Sequence, residues 1–153
     1  MIWRPMVPLA ALMALAACSL PAADKQSDGE ARALYEEIRT GADLSKDTHL
    51  ADELRTPEAL AQLAAVKSLI PEGAPTKVEN RGWNYSTNTD GSTATLTHAY
   101  VYKDHTVIAE TVLQKPPGGA DWKIAGFHVK LDHQPDKPDG PPVTVTGPPG
   151  EKT

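Results

Sequence analysis

At 153 residues with 40% apolar content, the chain has room for one domain of ordinary size and something left over at each end. A net charge of −5 leaves no basic surface for nucleic acid. The lone cysteine excludes an internal disulfide framework and a cysteine-built zinc site.

The first seventeen residues read as a signal peptide. Arg4 supplies the positive start, and the apolar run MVPLAALMALAA that follows is too short to span a bilayer as a helix. It ends in Leu15-Ala16-Ala17-Cys18. Small side chains at 16 and 17 let a peptidase approach the backbone, and a thiolate is a good nucleophile for alkylation. This stretch resembles the lipobox of bacterial lipoproteins. The resemblance implies removal of residues 1–17, with Cys18 becoming the first mature residue and carrying covalent lipid. Three acyl chains, as in that class, make a permanent membrane anchor. By the sorting pattern of that class, Ser19 after the cysteine, with no Asp, implies the outer membrane; the leaflet is not encoded, and the periplasmic one is expected over the cell surface. Residues 18–26, with Pro21 among them, read as a short lipidated tether.

The domain proper is expected over 27–132. Ser27-Asp28-Gly29-Glu30 matches a capping box and predicts a helix start at Ser27. Ala31, Leu34, Tyr35 and Ile38 follow as one apolar stripe, and Gly41 suits the stop. A second, weaker helix is expected at about 47–55, carrying Leu50 and Leu54. Thr56 then caps a third, with Pro57 in its first turn and a stripe of Leu60, Leu63, Ala64 and Leu69, before Pro71 and Gly73 end it.

From Thr76 the apolar period falls to two. Strands are predicted at 76–86, 92–103, 106–114 and 121–132, separated by the turn-rich TNTDG, KDH and KPPGGA. Helices first and strands second make an α+β fold, with N-terminal helices packed on a curved four-stranded antiparallel meander. Residues 133–153 hold six of the fourteen prolines and little that is apolar beyond Val143 and Val145, so they read as a disordered tail.

With a three-residue turn at Lys103–His105, His98 falls opposite Glu110. The third hairpin then puts Gly126 opposite Glu110 and His128 opposite Ile108. One face would carry Glu110, His98 and His128 among Tyr100, Trp83 and Trp122, the last three lining a ligand pocket. Glu110 and His98 read as a satisfied polar pair, as a general base in apolar surroundings, or with His128 as a metal-ligand set. The first is favoured, so no metal or cofactor is assigned. The other face would present Val101, Val107, Phe127 and Val129, too apolar for solvent. It implies either an inverted face assignment or a sheet covered on both sides by helices and by a protein partner or second copy. A one-residue slip in register would move every side chain to the other face.

The closing strand Trp122-Lys123-Ile124-Ala125-Gly126-Phe127-His128-Val129, behind helices and a meander, resembles the cystatin-like and nuclear-transport-factor-2-like α+β domains. The resemblance implies a cone-shaped pocket between the first helix and the sheet, and dimerisation through the sheet. That superfamily includes isomerase-like enzymes and many members that only bind or scaffold, so the fold does not name an activity. The expected function is a lipid-anchored periplasmic binding or structural module without catalysis. The alternative is a small pocket enzyme of isomerase or hydratase type using Glu110 with His98 or His128.

Overall fold

The computed structural model describes residues 22–132 and 143–146, so the signal segment and Cys18 lie outside the described residues. Two α-helices and an antiparallel sheet form a mixed α+β fold around one apolar cluster. Helix α1 spans Ala22–Thr40 and begins well before Ser27. Ala22, Ala23, Lys25 and Gln26 are all strong helix formers, and they carry the helix through the expected cap and through most of the expected tether. Ser27 is buried inside the helix rather than capping it. The stripe of Ala31, Leu34, Tyr35 and Ile38 is buried as its spacing predicts. Gly41, at φ 75°, ends the helix. The Ala42 N–H reaches Glu37 O at 2.9 Å and the Gly41 N–H reaches Ile38 O at 3.1 Å, the paired bonds of a Schellman stop.

No α-helix forms at 47–55. The segment holds one short 3-10 turn, Asp52–Arg55, joined by an extended stretch to another that precedes it at Leu44–Lys46. That stretch bonds to the sheet: the Ile124 N–H donates to His49 O at 2.8 Å and the Ala51 N–H to Ile124 O at 2.9 Å. Asp, Thr and His are weak helix formers, and a sheet partner satisfies their backbone groups instead. Leu50 and Leu54 are still buried. Helix α2, Pro57–Val66, has the expected cap, with the Ala59 N–H donating to Thr56 Oγ1 at 3.3 Å. Its buried stripe is Ala59, Leu63 and Val66, continued by Ile70. Leu60 and Leu69 are half-buried and Ala64 is exposed, a rotation of the expected stripe.

The strands are β1 (Lys77–Asn88), β2 (Gly91–Val101), β3 (Thr106–Lys115), β4 (Lys123–Asp132) and β5 (Val143–Thr146), paired in chain order. The first four are the expected meander. The fifth lies in the segment expected to be a disordered tail, with Val143 opposite Val129 and Val145 opposite Phe127. Ladder bonds join backbone to backbone, so a strand can complete the open edge of β4 without bringing much apolar surface of its own. On the far side of the sheet, the outer edge of β1 has no strand partner among the described residues.

Register is where the structure departs furthest from expectation. The last β2–β3 pair is Val101–Thr106, and the turn is the four residues Tyr102–His105, closed by the Tyr102 N–H to His105 O at 2.9 Å. One extra turn residue slips the ladder by one. His98 therefore opposes Ala109, and Glu110 opposes Thr97. Between β3 and β4, Glu110 opposes His128 and Ile108 opposes Lys130. Beyond that, an irregularity at Ala125 shifts Leu113 onto Ile124. The helix-covered face thus carries Leu96, His98 and Tyr100 with Val107, Ala109, Leu113, Phe127 and Val129. Val107, Phe127 and Val129 are core residues, and only Val101 of the expected partner surface faces outward. The doubly apolar sheet that seemed to need a second cover follows from the misplaced register.

Candidate functional site

His98 is the one histidine the sheet delivers to the interior. Its side chain is fully buried, and its Nε2 lies 2.7 Å from Asp28 Oδ1, 70 residues away on α1. Asp28 Oδ2 pairs in turn with Arg32 Nε at 2.8 Å, one helical turn on. The amide of Asn80 approaches the same carboxylate at 3.5 Å. His98 Nδ1 finds no hydrogen-bond partner among the described residues. The imidazole thus ties β2 to α1 through one carboxylate. Periodicity puts His98 on one face with Tyr100 and Leu96 but does not say that this face is the inner one, and Asp28 and Arg32 carry no signal beyond their i,i+4 spacing.

Tyr100 near the end of β2 and Tyr102 in the turn that follows also meet α1. The Tyr35 and Tyr100 rings stack with centroids 3.4 Å apart at 6°. The Tyr35 and Tyr102 hydroxyls are 2.9 Å apart. Burial raises the Tyr35 and Tyr100 phenols well above their ordinary range, so both stay neutral. These rings, with Leu34 and Phe127, occupy the space where the expected cone-shaped pocket would open.

The remaining nominated residues do not converge. Glu110 and His128 are direct cross-strand neighbours, half-buried on the face away from the helices, in a row with Thr97 and Thr144. His98 lies on the other side of the sheet, so Glu110 and His98 form no pair. Tyr100, Trp83 and Trp122 do not line one pocket. Tyr100 and Trp122 are buried in the core, whereas Trp83 is 55% exposed. Trp83 joins Tyr85, Ser27 and Asp28 around a shallow hollow of about 20 Å³. A cleft of about 480 Å³ lies between the Asp52–Arg55 turn and the hairpin ends, and holds Asp52, Asp90, Lys115 and Lys123 but none of the nominated residues. Among the described residues no three His, Cys, Asp or Glu side chains are placed to hold a metal.

A second titratable cluster fastens the 42–55 segment to α1. His49 Nδ1 pairs with Glu30 Oε2, and this contact raises the imidazole pKa. Burial, then the neighbouring Asp47 carboxylate, raises Glu37. Both groups hold a proton more tightly folded than unfolded. Their stabilisation is complete below the unfolded values, 4.5 for Glu37 and 6.5 for His49, and is lost as pH rises through the folded values. The urea midpoint should therefore fall modestly between about pH 6 and pH 8, by less than ~1 kcal/mol because the pair is half-exposed. His49→Gln should flatten that slope; an unchanged slope in the variant would refute the assignment.

Comparison with known proteins returns nothing that bears on this arrangement: no family model matches the chain, and neither does any curated protein or solved structure.

Proposed function

We propose that this chain is a bacterial lipoprotein, cleaved before Cys18 and held at the outer membrane by lipid on that cysteine, whose α+β domain is a non-catalytic binding or structural module. The observation that supports the non-catalytic half is the filled helix–sheet interior. Tyr35 stacks on Tyr100 there, and the buried imidazole of His98 is committed to Asp28. An isomerase or hydratase needs an acid–base group facing a closed cavity large enough for substrate. Glu110 and His98 sit on opposite faces of the sheet, and Glu110 with His128 lies on the face away from the helices. Kinship with the cystatin-like and nuclear-transport-factor-2-like domains belongs to the same proposal, supported by one long helix laid against a meander.

The anchor rests on the order apolar run, Leu15-Ala16-Ala17, Cys18. Among the described residues no helix is long and apolar enough to cross a membrane. Intact mass of protein recovered from membranes should show loss of residues 1–17 plus the mass of diacylglycerol and one acyl chain. Cys18→Ala should abolish both the cleavage and the lipid mass. An unmodified mature chain in the soluble periplasm would sink the proposal.

A further inference from the structure

We propose that the aromatic edge of β1, Trp83 and Tyr85, rests on the lipid surface to which Cys18 is anchored; the inference depends on the lipoprotein reading above. Trp83 is 55% and Tyr85 42% exposed, the only large apolar side chains so exposed among the described residues. They stand two residues apart and so share one face of the strand. Tyr85 is held in place, its ring edge-on to buried Trp122 with centroids 5.8 Å apart and its hydroxyl 3.3 Å from Ser92 Oγ. An ordered pair of exposed aromatics marks an interaction surface.

The length of chain leading to the domain decides what that surface meets. The sequence suggests a tether over 18–26, but α1 already begins at Ala22. Three residues separate Cys18 from the helix, and the four steps from Cys18 to Ala22 can reach at most roughly 14 Å. The five helical steps from Ala22 to Ser27 add roughly 7.5 Å. Ser27 and Asp28 border the same hollow as Trp83 and Tyr85. The aromatic pair therefore lies within a few tens of ångströms of the lipid-bearing residue along the chain, on the scale of the bilayer's own hydrocarbon thickness of ~30 Å. A domain tethered so closely meets the membrane with the surface around its first turns. Trp and Tyr are the side chains that favour the water–hydrocarbon boundary, with apolar rings and a polar handle each.

The contact is apolar rather than ionic. Residues 82–88, Gly-Trp-Asn-Tyr-Ser-Thr-Asn, carry no charge, and the chain as a whole is negative. Docking should therefore survive salt that screens attraction to anionic lipid.

The test uses lipidated mature protein in vesicles of phosphatidylethanolamine and phosphatidylglycerol, with plain or brominated acyl chains. Removal of residues 1–17 leaves Trp83 and Trp122 as the only tryptophans. Trp122 is buried in the core and serves as internal reference. Brominated lipid should lower the emission by roughly a third or more, as expected for one of two indoles at the interface. The drop should persist in ~0.5 M NaCl, and Trp83→Phe should remove it. Protein that floats with the vesicles but shows equal emission in both lipids overturns the docking and leaves the anchor standing. A chain without acyl mass that fails to float overturns both. A crosslink between two copies through the β1 edge in vesicles, with equal emission in both lipids, would mean that a second copy covers that edge, and would also overturn the docking.

Discussion

Phe127→Asp is expected to unfold the domain, while Ile108→Asp leaves it folded. Phe127 is fully buried beneath the helices, where a carboxylate would have neither water nor a partner. Burying such a charge, together with losing the ring, should cost more than ~4 kcal/mol, a large part of the stability of a domain this size. Ile108 is half-buried on the uncovered face, opposite Ala99 and Lys130. A carboxylate there keeps its water and gains a cationic neighbour, so the cost should stay near ~1 kcal/mol. Thermal melts followed by circular dichroism decide the matter. Had β2 and β3 been joined by a three-residue turn, the two outcomes would be exchanged. Tolerance of Asp at 127 with collapse at 108 would therefore refute the register itself.

Tyr35→Ala is expected to cost about 3–5 kcal/mol, whereas Tyr35→Phe should cost about 0.5–1.5 kcal/mol. The alanine variant removes a fully buried ring stacked on Tyr100 and opens a cavity at the centre of the α1–β2 contact. The phenylalanine variant keeps the stack and loses only the hydroxyl contact with Tyr102. Urea unfolding separates the two. Equal losses would mean that the hydroxyl pair, not the ring packing, holds α1 to the sheet. The contrast also bears on function, because Tyr35 and Tyr100 fill the space that a substrate would need.

Much of the architecture is legible in the residues. The stripe Ala31, Leu34, Tyr35, Ile38 identifies the buried side of α1, Gly41 its end, and Thr56-Pro57 the start of α2. These signals act within a turn or two of chain, so they need no knowledge of the partner. The change to period two at Thr76 places four strands to within about two residues. The candidate site fared differently. Alternation names two sets of side chains but not which set lies inside, and here both sets are rich in Val, Ile and Ala. The choice fell to one turn residue between β2 and β3, which separated Glu110 from His98, while the β3–β4 hairpin independently set Glu110 opposite His128. Long-range partners were equally silent: Asp28 for His98, Ile124 for the His49–Ala51 backbone, β4 for Val143–Thr146.

The sequence alone therefore determined two of the three expected helices, the four strands of the meander and their order, since helix and strand periods, caps and turn residues act over a few neighbours. It also carries the LAAC motif on which the membrane assignment rests. Tertiary structure alone decided which face of the sheet became core. It also decided that the interior would be packed with tyrosine rings rather than left open. Those outcomes depend on backbone pairing and packing between residues far apart in the chain, and local pattern carries no record of them.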